Sequence, residues 1–266
     1  MHAPLARWPR TRVDSAALTE SRIMPPDAPL IELRDVALTL DGRRVLDGVD
    51  LAATERRIGI VGRNGSGKST LIRVIAGLIA PDRGQARVGG VDVAHDRKRA
   101  VGVVGMLFQN PDHQIIFPTI EEEIAFGLTQ QGRSKSEAAR AVAAILSRFD
   151  KAHWAGAAVH TLSQGQKQLV CLMAVLAMEP AVILLDEPLS GLDIPTRMQL
   201  GRYLDAAPAT LVHVSHDPDA LTGYERVIWL DAGRIKQDGP AARVLAAYGA
   251  EMRRAGGRDD LSDLAG

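Results

Sequence analysis

The sequence predicts an α/β protein: a mostly parallel β-sheet buried on both faces, preceded by an antiparallel hairpin and interrupted by a helical insert. Three observations carry this. Four short apolar runs, Ile58–Val61, Val101–Phe108, Ala181–Leu185 and Leu211–Val214, lie between Gly, Asp or Ser boundaries, as strands covered on both faces do. A glycine-rich segment joins the first run to a helical run, Ser69–Leu78. Between the second and third runs, Thr119…Glu122, Ser134…Glu137 and Ser163…Gln166 have the spacing that opens helices.

In chain order, residues 1–27 show no sustained period and end Met24-Pro25-Pro26-Asp27, so 1–29 reads as a disordered extension with Met24 as an alternative start. Residues 31–40 and 45–53 read as two strands around Asp41-Gly42, a dipeptide that favours hairpins. After Ile58–Val61 comes Gly62-Arg63-Asn64-Gly65-Ser66-Gly67-Lys68-Ser69-Thr70, the G-x-x-x-x-G-K-[ST] pattern between a strand and a helix. Its three glycines let successive backbone N–H groups face inward as an anion nest, and the helix start behind them adds a positive dipole end. Lys68 suits the β- and γ-phosphates of a nucleotide, and the Ser69 hydroxyl suits Mg²⁺. A glycine-rich turn with a chance Lys-Ser is the bland alternative, which the strand–loop–helix order argues against.

The insert covers roughly residues 110–180. Its second helix carries Ala138, Val142, Ile145, Leu146 and Phe149 on one face. Arg97-Lys98-Arg99 reads as a solvated loop, and the Met173–Met178 stretch as core. The run Val182-Ile-Leu-Leu185 then delivers Asp186 and Glu187 at a strand's C-terminal end, where open α/β sheets bind ligands. Asp186 suits the Mg²⁺ shell and Glu187 a general base, unless the two are simply surface acids ending a strand. His213 and His216 do not make a metal pair, since that spacing sends them to opposite faces.

Composition narrows the classes. Of 266 residues 46% are apolar and 24% charged, which excludes a disordered, collagenous or coiled-coil chain. Lys plus Arg and Asp plus Glu number 32 each, which gives no footprint for wrapping nucleic acid. The single Cys171 makes no internal disulfide, and a reducing cytoplasm is the default compartment. The longest uncharged apolar run, Leu169–Met178, is half of what a bilayer span needs, and residues 1–24 lack the apolar core of a secretory signal. A membrane role is therefore peripheral, through a partner.

At Leu162-Ser163-Gln164-Gly165-Gln166-Lys167-Gln168, lying before Asp186, the sequence resembles the ATP-binding-cassette family, with Gln164 where the family usually has Gly. Read locally, Ser163 is an ordinary helix cap. The resemblance, which covers about residues 30–250, implies a P-loop cassette fold with an N-terminal antiparallel β subdomain and a helical insert subdomain, followed by a frayed tail at 251–266. It implies ATP and Mg²⁺ as ligands. It also implies that Ser163, Gln164, Gly165 and Gln166 meet the γ-phosphate held by a second chain, most simply in a homodimer. Gln109 resembles the glutamine that senses Mg²⁺ and water, Asp193 in Ser190-Gly191-Leu192-Asp193 an interface residue, and His216 the histidine on the γ-phosphate. Glu187, His216, Gln109 and Lys68 are then the catalytic set, with Ser69, Gln109 and Asp186 around the metal. Leu40 stands about where the family has an aromatic ring against adenine, and Arg56-Arg57 replace a common Gly-Glu.

The segment Phe108–Leu128, with His113 and Phe117, is similar to that of energy-coupling-factor importers of vitamins and metals. Together with Cys171–Met178, it is most similar to the ATP-binding subunits of biotin importers. That implies a transmembrane coupling subunit and a substrate-binding membrane subunit as partners, at the cytoplasmic face of the inner membrane, with no direct vitamin contact. Cobalt, nickel or another vitamin is the alternative cargo. A soluble cassette acting on ribosomes or DNA would be expected to carry twin cassettes or long coiled-coil insertions. A P-loop kinase explains residues 62–70 but not Ser163, Gln109 and His216 together.

Overall fold

The computed structural model describes residues 28–256; the expected extension at 1–27 and the tail beyond 256 lie outside the described residues. β1 (Ile31–Leu40) and β2 (Arg43–Ala53) form the antiparallel hairpin, turning at Asp41 and Gly42, whose φ angles of 50° and 75° match the twist of the flanking strands. β4 (Arg83–Val88) and β5 (Val91–Asp92) extend it to a four-stranded sheet of order β2-β1-β4-β5. The second sheet has six strands. β3 (Arg57–Val61), β6 (Val104–Leu107), β7 (Val182–Asp186), β8 (Thr210–Val214) and β9 (Arg226–Asp231) run parallel, and β10 (Arg234–Pro240) lies antiparallel on the edge. The order is β10-β9-β3-β8-β7-β6.

Burial on both faces is visible within one strand. On β7, Val182 and Leu184 join the core shared with α1 (Lys68–Ile75) and the antiparallel sheet, while Ile183 and Leu185 join the helical core on the other side. That alternation is the period of two that a strand imposes. The helical core collects α3 (Ile120–Gln130), α4 (Lys135–Arg148), α5 (Gln164–Ala177) and α6 (Ile194–Asp205).

The three capping spacings all start helices. Ser134 and Ser163 make reciprocal boxes with Glu137 and Gln166. Thr119 accepts from the Glu122 N–H, but its hydroxyl turns to the Glu122 carboxylate instead of leaving that group for the backbone.

Two expectations are corrected. The run Val101–Phe108 is not one strand: α2 (Arg97–Val103) ends inside it and β6 starts at Val104. Asp96 accepts from the Arg99 N–H and nucleates the helix, so Arg97, Lys98 and Arg99 are its first turn and not a loop. An apolar run alone does not separate the end of a helix from a strand. At the other end, α7 (Ala241–Gly256) continues past residue 250, with Lys236 of β10 paired to Glu251.

Candidate active site

β3, β7 and β8 are parallel neighbours, so their C-terminal ends open at one edge of the sheet, where ligands of such sheets bind. β3 ends in the glycine loop. Its last glycine, Gly67, has φ +100°, and a Cβ there would stand 2.7 Å from the Val45 carbonyl, so no other residue fits. α1 begins immediately after it with neither a side-chain cap nor an acidic residue in its first turn. Its first N–H groups are therefore left for an anion.

Lys68 is buried, and its Nζ donates to the carbonyls of Gly62 (2.8 Å) and Arg63 (2.9 Å), folded back over the loop it follows. Burial lowers its pKa, while Glu187 and Asp186 favour the charged form. The Ser69 hydroxyl donates to Asp186 at 3.1 Å, joining the helix start to the end of β7. Burial pushes the Asp186 carboxyl above the ordinary carboxylate value, against the Ser69 hydrogen bond and the charges of Arg73 and Lys68. Next along the chain, Glu187 has φ +49° and is held by its N–H on the Val214 carbonyl of β8. His216, just beyond β8, places Nδ1 2.7 Å from Glu187 Oε2. Lys68, Ser69, Asp186, Glu187 and His216 thus converge from three strands. A cavity of about 540 Å³ opens beside residues 62–66 and His216, walled on its far side by Tyr248 and Met252 of α7.

Ser163, Gln164, Gly165 and Gln166 gather elsewhere, at the start of α5 against α6. Gly165 lies so near Thr196 that a Cβ would stand 2.7 Å from its Cγ2. Asp193 caps α6, accepting from the Thr196 N–H at 2.8 Å. Among the described residues, no hydrogen bond joins this group to the glycine loop. Gln109 is exposed after β6, and none joins it to Ser69 or Asp186. Leu40 packs against the core between the sheets and is not among the residues lining the cavity. His213 is buried against the Tyr224 hydroxyl at 3.0 Å, and no metal-holding cluster of His, Cys, Asp or Glu occurs among the described residues.

Other contacts at the site escaped the sequence. Buried Glu123 accepts from the N–H groups of Ile116 (2.9 Å) and Phe117 (3.0 Å) and so shapes the segment after Gln109. In the sequence it stands in the run Glu121-Glu122-Glu123, and its helical spacing from buried Ile120, on the face shared with Ile124, is the available signal. Lys167 of α5 pairs with Asp112, and Gln168 donates to the Phe108 carbonyl, tying the helix that Ser163 caps to the same segment.

Known proteins similar to this chain identify its family. The pattern of the ABC transporter family matches residues 47–190. The chain is 52% identical over 223 residues to the biotin transport ATP-binding protein BioM of Rhodobacter capsulatus, covering 84% of this chain and 95% of that one. It is 39% identical to BioM of Rhizobium etli, covering 82% and 97%. Among solved structures, cbiO1 from Clostridium perfringens, part of the ABC transporter complex cbiONQ, superposes with a TM-score of 0.71 at 26% identity, covering 88% of this chain and 96% of that one. The dimeric post-hydrolysis cassette MJ0796 bound to ADP and Pi gives 0.69 at 26% identity, covering 79% and 98%. Residues 28–256 contain no helix long and apolar enough to cross a membrane. This chain belongs to the ABC transporter family and is an ATP-hydrolysing cassette of it.

Proposed function

We propose that the chain energises import of biotin across a membrane, working as a pair of copies against a transmembrane coupling subunit. The observation that carries the biotin assignment is the 52% identity to a biotin transport ATP-binding protein across nearly all of that protein's length. The ATPase itself has no need to touch the vitamin.

At the site, the residues present suit ATP and Mg²⁺. The Ser66 hydroxyl is buried in the glycine loop without a partner among the described residues, as expected of a group reserved for a ligand. Ser69 and Asp186 offer two oxygens to a hard cation. These two residues would hold Mg²⁺, whose positive charge would offset that of the phosphates. Residues 62–70 cradle the phosphates, and Lys68 exchanges its loop carbonyls for phosphate oxygens. Glu187 orients the attacking water and accepts its proton. His216, donating from Nδ1 to Glu187, turns its other nitrogen toward the γ-phosphate. Ser163 and Gly165 of a second copy complete the site, because each chain supplies one glycine loop and one α5 start, with Asp193 at the junction between copies.

Gln109 begins the segment that faces the membrane partner. Beyond it, Ile116 is 64% exposed and Phe126 37%, an apolar pair braced by the Phe117 ring and by Glu123. These side chains supply the contact through which nucleotide-driven motion passes, provided that the two states offer the partner different surfaces. The chain accordingly sits at the cytoplasmic face of the membrane without entering it.

The test is uptake of labelled biotin and labelled cobalt or nickel in parent, deletion and Glu187→Gln strains at limiting external concentration. Loss of biotin uptake alone is expected in both altered strains. Loss of metal uptake with normal biotin uptake would move the cargo to a metal and leave the ATPase account standing.

A further inference from the structure

We propose that Ser190 is a positioning residue for ATP hydrolysis, holding the Glu187 carboxylate in its working orientation. The inference rests on Glu187 being the general base. Residues Glu187 to Ser190 form a turn closed by the Ser190 N–H on the Glu187 carbonyl at 3.1 Å. The turn starts in left-handed backbone, φ +49°, a conformation that is costly for a non-glycine residue and persists only where its surroundings enforce it. The turn brings the Ser190 hydroxyl back to the Glu187 side chain, where Oγ donates to Oε2 at 3.2 Å.

His216 Nδ1 reaches the same oxygen at 2.7 Å. Both described hydrogen bonds to this carboxylate fall on Oε2, and Oε1 receives neither. A terminal carboxylate torsion is broad and nearly two-fold, so an unrestrained glutamate presents either oxygen in many orientations. Two donors on one oxygen fix the plane and leave the other oxygen to face water.

The two donors differ in how firmly they are held. The His216 side chain is 61% exposed, and the phosphate contact proposed for it asks the ring to serve a second partner. Ser190 sits half-buried on the same turn as Glu187 and moves with it. Ser190 is the donor with no phosphate to serve. The same turn runs on through Gly191 to Asp193 at the start of α6, so a second copy pressing on Asp193 would reach the Glu187 carboxylate through Ser190.

Steady-state ATP hydrolysis by the full-length chain tests this, with Ser190→Ala, Ser190→Thr and Glu187→Gln measured together and nucleotide binding and thermal melting as controls. Ser190→Ala is expected to lower kcat about tenfold, equivalent to about 1.4 kcal/mol in the barrier, with KM for ATP, ATP affinity and Tm unchanged. Ser190→Thr, which keeps the hydroxyl, restores kcat to within about twofold of the parent on that scale. Wild-type kcat in Ser190→Ala beside an inactive Glu187→Gln would overturn the role of Ser190 and leave Glu187 as the base. A fall in Tm and ATP affinity alongside kcat, without rescue by threonine, would reduce Ser190 to a structural turn residue. Undiminished turnover in Glu187→Gln would overturn the base assignment itself, and this inference with it.

Discussion

Replacing Gly165 by alanine separates two explanations of the same glycine. In one, position 165 must be glycine because an anion approaches the backbone; in the other, because α6 does. An added Cβ stands 2.7 Å from Thr196 Cγ2, 3.5 Å from Oγ1 and 3.6 Å from Cβ, so only the first of these contacts is below van der Waals distance. Thr196 is fixed through its backbone, since its N–H is held by Asp193, and α5 is fixed by the Ser163–Gln166 box. The overlap has to be relieved by turning the Thr196 side chain out of its rotamer or by moving one helix start against the other, at about 1–3 kcal/mol by comparison with other overpacked sites. Trimming the partner removes the clash: in Gly165→Ala/Thr196→Ala the nearest Thr196 atom left is Cβ, in ordinary contact. Urea unfolding of the two single variants and the double variant, with ATPase rates in parallel, completes a thermodynamic cycle. Gly165→Ala should lower the midpoint and the double variant recover most of the loss. If stability recovers while hydrolysis stays low, backbone access at Gly165 is needed for the nucleotide as well as for packing. A double variant no more stable than Gly165→Ala alone would refute the steric reasoning.

Three further outcomes follow from the structure. Lys68→Ala should weaken ATP binding at least about tenfold, the low end for a hydrogen-bonded charge, as read by titration with a fluorescent ATP analogue. Arg57→Ala should destabilise the fold by about 2–3 kcal/mol in urea, because the Arg57 guanidinium donates to the carbonyls of Asp205, Ala207 and Ala209 where α6 ends. Burial pushes His213 down to about 4 from its ordinary 6.5, so between those values the unfolded chain binds the proton that the folded chain refuses. Stability is then intact above pH 6.5 and falls as the pH drops toward 4, by about 2 kcal/mol at pH 5, and His213→Gln should flatten that slope in urea midpoints measured at pH 7 and pH 5.

What the sequence could and could not disclose follows the range of the forces involved. Turn and cap chemistry acts over two to four residues, and Asp41-Gly42, Ser134 and Ser163 announced their elements correctly. The glycine loop was legible because its steric demands and its place between a strand and a helix lie within one short segment. Val101–Phe108 was misread because an apolar run reports burial and not backbone conformation, and the deciding residue, Asp96, stands outside it. Arg57 was opaque for the opposite reason. Its carbonyl partners lie about 150 residues away in sequence, brought beside it by the pairing of β3 with β8. The meeting of His216 with the Glu187 carboxylate likewise depends on the register of β7 against β8. Leu40 is partly buried against the core between the sheets, a placement that its position at the end of a strand with a period of two does not announce.

The central claim is that Glu187 drives hydrolysis at a site completed by a second copy, and size-exclusion chromatography of Glu187→Gln with and without ATP and Mg²⁺ tests it most directly. The account predicts a hydrolysis rate at least about a hundredfold below the parent, the low end for losing a general base. It also predicts a chain that elutes as a dimer with ATP and Mg²⁺ and as a monomer without them. Parent-like turnover, or a monomer under both conditions, would contradict it.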